Sequence, residues 1–297
     1  MTASLDDVVA KVETGGKLTD ADIDALETGR DIIALGTLAE SIRGRLHGPD
    51  VTFVRVFDVK IEAVPGPGDV SAEALANAGE VRVFDTPQTL DEAISVVTRV
   101  LDLAGATPVS AFCLFELSTL PDGLPVVLRA LRQAGLEQIA QAPLDRLASP
   151  EHALEALTDA GLQLARLTIN ETPSRKWTDL CREVAAHQRR LTSLRVFAPL
   201  ARILDRTQPT TGYADVKRVA LARILIQNVP TIQVDWALYG PKLAQVALTF
   251  GADDIDSVSA LDDESLGHRR SSIEEIRRSI QAASLNAVER DGRFAPR

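Results

Sequence analysis

The chain has 297 residues, room for one large α/β barrel or two smaller domains; 45% are hydrophobic and only 4% aromatic, so a substantial and mainly aliphatic core is expected. With 32 basic and 42 acidic residues the net charge is −10, which argues against nucleic-acid binding and fits a solubilising surface. Two cysteines, Cys113 and Cys181, exclude a disulfide framework or a multi-cysteine cluster within the chain, no apolar run reaches membrane-spanning length, and the acidic start is no signal peptide. A cytoplasmic protein that meets neither nucleic acid nor membrane is therefore expected.

Residues 1–48 read as helices over 5–12, 19–26 and 32–46, each with apolar residues at helical spacing and Asp or Thr near its start. They form a helical extension expected to plug or lid one end of a main domain spanning 49–297. From residue 51 the pattern turns β-branched and aromatic, predicting a strand over 51–57 that 59–63 extends or folds back as a hairpin. The run from Val64 to Asp69 is rich in Pro and Gly and breaks the chain.

After it, strands over 81–84, 109–117, 136–141, 162–169, 194–198, 231–235 and 254–258 alternate with helices over 90–103, 124–134, 152–160, 176–190, 214–227, 242–250 and 273–283. Gly240-Pro241 is expected to open the helix after 231–235, and Gly251 to close it. About eight βα units over some 250 residues is the extent of a (β/α)8 TIM-type barrel. A doubly wound open sheet is the runner-up, since alternation alone does not show closure, but no glycine-rich phosphate fingerprint follows the first strand.

In a parallel barrel the strands alternate between the helix layer and the interior, and function gathers at their C-terminal ends. That rule nominates Arg55 and Asp58 on the first strand, Asp85 after the second, and Glu116 at the end of the third. It adds Arg166, Thr168 and Asn170, then Arg195, then Gln233 and Asp235, and Asp256 on the last strand. Buried charge needs partners or a polar ligand. The set reads either as a polar ligand cavity or as Arg–carboxylate pairs filling the barrel. In the first reading Asp58, Glu116 and Asp235 are acid/base candidates, while Arg55, Asn170, Arg195 and Gln233 bind and Trp236 stacks on the ligand at the mouth.

No metal site is expected. His47, His152, His187 and His268 fall in helices or loops, and Asp253-Asp254, Asp256 and Asp262-Asp263-Glu264 lack calcium-loop spacing and read as a solvated acidic loop. Arg269-Arg270 and Arg277-Arg278 read as solvated charge, Cys113 and Cys181 as packed thiols, and Trp177 as a packing residue. No Ser-His-Asp order, Walker loop, HExxH or zinc spacing is present.

Four segments, TGYADVKRVALARIL (211–225), NVPTIQVDW (228–236), GPKLAQVAL (240–248) and GADD (251–254), with Glu289-Arg290-Asp291 near the end, resemble one group of radical SAM enzymes. These are the aminofutalosine synthase and dehypoxanthine futalosine cyclase of menaquinone biosynthesis and the related FO synthase subunits. LTDAD (18–22) and GPDVTFV (48–54) resemble the family's opening, whereas 56–191 matches mainly in the order of elements. The resemblance implies a [4Fe–4S] cluster held by CxxxCxxC after the first strand. The corresponding stretch, VFDVKIEAVPGPGD (56–69), has no cysteine, and cluster iron needs thiolates. The loop is also shortened, and Leu261-Asp262-Asp263-Glu264-Ser265 stands where the family has Glu-Glu-Asn. No cofactor is therefore expected: the cluster is absent from the reading, and S-adenosylmethionine binding is put in question with it. Two readings stay open. One is a cluster-free relative that binds a small polar, nucleoside-type molecule in the barrel mouth, with or without non-redox chemistry. The other is a non-catalytic partner of a radical SAM paralogue, or a homodimer.

Overall fold

Strand β1 (Asp50–Lys60) carries a run of Val and Phe that is buried almost without interruption, the signature of a parallel strand covered on both faces. In the computed structural model, which describes residues 5–14, 16–66, 72–172, 175–191, 193–203, 210–261 and 273–297, β1 pairs in parallel with β2 (Glu80–Phe84) on one side and β9 (Asp254–Ser259) on the other. Between them the wall continues through β3 (Val109–Cys113), β4 (Gln138–Pro143), β6 (Leu167–Ile169), β7 (Val196–Ala201) and β8 (Thr231–Asp235). The β1–β9 pairing closes an eight-stranded parallel barrel and excludes the open sheet.

The helices between strands are set by local chemistry. Thr89 caps α5 (Leu90–Ala104) by accepting from the Glu92 amide, and Pro150 opens α8 (Pro150–Asp159) at a position where its missing N–H costs nothing. The helices α7 (Leu124–Gln133), α9 (Trp177–Leu191) and α10 (Gly212–Leu225) complete this run of the outer layer. The expected strand over 162–169 is divided: β5 (Gln163–Leu164) pairs with β4 low in the wall, and β6 resumes above it.

Three further elements escape the strand–helix periodicity. Strand β3 stops at Cys113, where Phe112 takes a left-handed conformation, and 114–117 turns into the short helix α6 (Leu114–Leu117). A short helix, α4 (Ala72–Asn77), precedes β2. Near the C-terminus β10 (Asn286–Glu289) pairs with the first residues of β1, below the point where β2 takes over. Gly79 is required there, because a Cβ would lie 2.6 Å from the Arg290 carbonyl oxygen.

The N-terminal helices α1 (Leu5–Glu13), α2 (Asp20–Thr28) and α3 (Ile32–His47) lie on the outside of the barrel and do not plug it. Helix α3 packs along α10, and Lys217 Nζ donates to the carbonyls of Glu27 and Gly29 at 2.6 and 2.8 Å. Leu26, Leu35, Leu38 and Ile42 join the same hydrophobic core as the barrel helices. Helix α12 (Ile273–Ala282) precedes the closing tail. Pro67, Gly68, Asp69, Asp262, Asp263, Glu264, Ser265, His268, Arg269 and Arg270 lie outside the described residues.

Candidate active site at the barrel mouth

Side chains at the C-terminal ends of the strands surround a cavity of about 660 Å³. Its floor is a quartet of buried charges. Arg82 on β2 donates to both oxygens of Glu80, at 2.9 and 3.1 Å, and to Asp256 on β9 at 2.7 Å. Arg166, between β5 and β6, donates to the other Asp256 oxygen and lies 3.4 Å from Glu80. Burial opposes the charges of Asp256 and Glu80, but the two guanidiniums outweigh it and hold both carboxyls below their usual range. Two arginines against two acids make the layer balanced, a structural pairing closer to the second interior reading than to a ligand-binding one.

Above the quartet the walls are less evenly matched. Asp58 lines the cavity and is exposed as a residue, yet the surrounding wall desolvates its carboxyl, the largest influence raising its pKa; Asp256 and Glu80 add to it and Arg82 opposes. Glu116 sits on α6, past the strand end where it was expected. Burial raises its pKa first and Asp85 adds to this, against a hydrogen bond with Thr86 and the charge of Arg146. Asp85 lines the same mouth. Three non-glycine residues of this rim, Asp85, Phe112 and Ser257, hold left-handed backbone, with φ of 81°, 62° and 58°. Such strain persists where surrounding structure imposes it and gathers at functional sites.

Asp235 also lines the cavity, but its oxygens are engaged. One accepts from the Leu238 amide at 2.8 Å, capping α11 (Trp236–Leu248); the other accepts from Arg202 at 2.6 Å and Ser257 at 2.9 Å. Helix α11 therefore starts immediately after β8 and kinks at Gly240, whose φ is 76°, correcting the expected start at Gly240-Pro241. An acidic residue at an N-cap satisfies exposed amides, which explains why Asp235 ends the strand.

Other nominated residues lie elsewhere. Trp236 is 1% exposed and packs in the core, because the helix that begins with it turns the ring inward; it does not stack at the mouth. Gln233 donates to Asp254 at 2.7 Å in a lower layer, where Arg290 binds Asp254 through two 2.7 Å bonds. Arg55 pairs with Glu289 of β10 at 2.8 Å. Arg195 precedes β7 and lies at the opposite end of the barrel, and Asn170 lies off the cavity with its backbone N–H donating to Asp145. Asp253, Asp254 and Asp256 are buried and bound to arginines, correcting the solvated-loop expectation: each is the carboxylate of an internal pair with Arg223, Arg290 or the quartet. His47 reaches the Pro230 carbonyl at 2.9 Å beside Asp253, below the strands, while His152 and His187 sit on α8 and α9. Trp177 packs as expected, stacked on Phe197 at 6.4 Å.

Glu80, Arg82, Arg202 and Ser257 belong to the mouth or its floor without being among the residues nominated from the sequence. For Arg82 a signal existed: an arginine flanked by Val81 and Val83 in a strand must alternate inward. The thiol of Cys113 touches the cavity wall and burial raises its pKa to about 11. Cys181 is buried in α9 and is likewise raised by burial. Among the described residues, no group of three His, Cys, Asp or Glu side chains is arranged to hold a metal ion.

A family model for the CofH/MqnC C-terminal region matches residues 196–297. Aminodeoxyfutalosine synthase of Thermus thermophilus is 25% identical over 97% of this chain and 94% of its own length. A 5-amino-6-(D-ribitylamino)uracil–L-tyrosine 4-hydroxyphenyl transferase of Methanococcoides burtonii is 39% identical over 27% of this chain and 24% of its own. Among solved structures, a methylornithine synthase superposes with a TM-score of 0.68 at 14% identity, covering 94% of this chain and 97% of that one. A maturase of the [FeFe]-hydrogenase gives 0.65 at 12%, covering 96% and 75%. These structural likenesses concern the fold.

Proposed function

We propose that this chain, which matches the CofH/MqnC C-terminal region over 196–297 and resembles an aminodeoxyfutalosine synthase along its length, acts in or beside menaquinone biosynthesis, binding a polar nucleoside-type molecule in the barrel mouth without an iron–sulfur cluster. The observation that carries this reading is the mouth cavity itself. It keeps about 660 Å³ of space above a fully paired ionic floor, with Asp58 and Glu116 exposed to a ligand rather than consumed by ion pairs. A cavity of that size accommodates a nucleoside-sized ligand.

The donor set after β1 does not suit a cluster. The chain turns through a short 3-10 segment, Ile61–Ala63, and neither it nor the rest of 56–71 contains a thiol. The two cysteines of the whole chain are buried on β3 and α9, on separate elements. No step is therefore routed through a cluster. The chemistry within reach of these residues is proton transfer: raised pKa values let Asp58 and Glu116 hold a proton closer to neutrality than free carboxyls do, so each can donate to or accept from a bound hydroxyl, amine or carbonyl. Asp235, fixed by Leu238, Arg202 and Ser257, holds the wall in place.

Calorimetric titration with aminodeoxyfutalosine, and separately with S-adenosylmethionine, tests the reading. Saturable nucleoside binding that weakens about tenfold or more in Glu116→Gln or Asp58→Ala is expected. No heat from the nucleoside, in a folded protein that instead co-purifies with a radical SAM paralogue, would overturn it.

A further inference from the structure

The opposite end of the barrel holds a second cavity, of about 490 Å³, that the mouth does not use. Its lining comes from the N-terminal ends of strands, the turns before them, the end of α8 and the closing tail. Gln138 begins β4, Gln163 and Leu164 are β5, Arg195 precedes β7, and Gly292 to Phe294 belong to the closing tail. The opening follows from the divided strand. Low in the wall β5 pairs with β4, while β7 finds its partner only above, at Leu167 of β6. The ladder is therefore interrupted between β5 and β7 at the floor, and the cavity fills the interruption.

Two polar groups there lack the partners their chemistry calls for. Gln138 is 5% exposed; its amide nitrogen donates to the Gly292 carbonyl at 3.2 Å, which fixes the orientation of the amide, and leaves its Oε1 buried with no donor. A buried acceptor without a donor costs about 1–3 kcal/mol. Arg195 stacks over Phe294 at 4.2 Å, and among the described residues no ion pair joins it to a carboxylate. Arg290 covers the same ring at 3.7 Å but is bound to Asp254, and Arg293 is bound to Glu137 at 2.8 Å. Burial works against the charge of Arg195 and Arg290 adds to this, while Asp254 and Asp291 favour it. Phe294, the platform for both guanidiniums, is held in left-handed backbone with φ of 66°.

We propose that this floor cavity is a second ligand site, separate from the mouth, that takes a small hydroxylated anion. A phosphate or carboxylate group would sit on Arg195, and a hydroxyl of the same molecule would donate to Gln138 Oε1. An arginine already resting on an aromatic ring presents its donors at low entropic cost. The requirement for both a charge and a donor separates this site from a general anion patch, which would hold bare phosphate equally well.

The test uses the full chain and three probes, ribose 5-phosphate, gluconate and inorganic phosphate, with neutral ribose as control, followed by calorimetry and by amide shifts in NMR spectra. At least one hydroxylated anion is expected to bind saturably and more tightly than inorganic phosphate or ribose. Its affinity should fall about tenfold or more in Arg195→Met and in Gln138→Leu, and remain unchanged in the mouth variant Glu116→Gln. Shifts should centre on Gln163, Arg195 and Phe294. Arg195 is exposed, so its replacement leaves the fold intact, and a circular dichroism melt checks this. Absence of Arg195-dependent binding by any of the three anions, or equal binding of bare phosphate, would overturn the proposal. Either result leaves the nucleoside test at the mouth undecided and independent.

Discussion

Asp256 shows how much depends on single side chains in this barrel. Its two oxygens serve Arg82 and Arg166 at once, and all three groups are buried. Replacing it by Asn leaves two guanidiniums with one acid, and breaking a buried pair of this kind costs about 3–5 kcal/mol. Chemical denaturation of Asp256→Asn should show that loss as a lower midpoint. Asp58 presents the opposite case. Its folded pKa lies above the usual value, so its protonated form favours folding. That contribution is complete below the ordinary carboxyl range and lost as pH rises through the raised folded value. Asp58→Asn should therefore melt with wild type near pH 3 and above it at neutral pH. Equal melting at both pH values would show that the carboxyl carries no such cost. Glu116→Gln should follow the same sign.

At the scale of elements, the βα order was legible because most units announce themselves twice, by an apolar or β-branched run and by an amphipathic stretch, several of which end at glycine. Helix α5, with Thr89 at its cap and Gly105 after it, is such a case. What stayed hidden has physical causes. Trp236 follows a strand-ending Asp and reads as a rim residue, but Asp235 caps a helix that starts at once and carries the ring inward. Glu116 looks like a strand end because nothing in the sequence marks the left-handed turn at Phe112. The aspartates of 253–256 look solvated because their arginine partners lie far away in sequence, Arg82 and Arg166 among them.

The N-terminal helices offer a test at the same scale. Asp22 closes a capping box with Thr19 and accepts two bonds from Lys11 of α1, and these hold its pKa down to about 2, with the Lys11 bond the largest cause. A lowered carboxyl pKa stabilises above the unfolded value and loses that stability as pH falls through the folded one. The α1–α2 contact should loosen between about pH 4 and pH 2, ahead of the barrel. Hydrogen exchange followed through that range should show amides of 5–28 losing protection first. Simultaneous loss across the barrel would mean that the extension and barrel open as one unit.

As a whole molecule the protein has the eight-stranded barrel of the solved structures it resembles, and the segment after β1 contains no cysteine. Its core is continuous from Leu35 and Ile42 on α3 to Val219 and Leu221 on α10, so Leu35→Ala should cost about 2–5 kcal/mol in a global denaturation measurement. The interior is layered. Arg290 and Asp254 pair low in the barrel, the Arg82–Asp256 quartet fills the middle, and the two cavities described above lie at the mouth and at the opposite end. Such layers of internal ion pairs hold the strands in register while leaving the mouth available to a ligand. The most direct measurement is anaerobic reconstitution with iron and sulfide, followed by metal analysis and absorption spectroscopy of the desalted protein. The account predicts no retained iron above background and no broad visible band, in a protein that still melts cooperatively. About four irons per chain, with the absorption of a [4Fe–4S] centre, would contradict it.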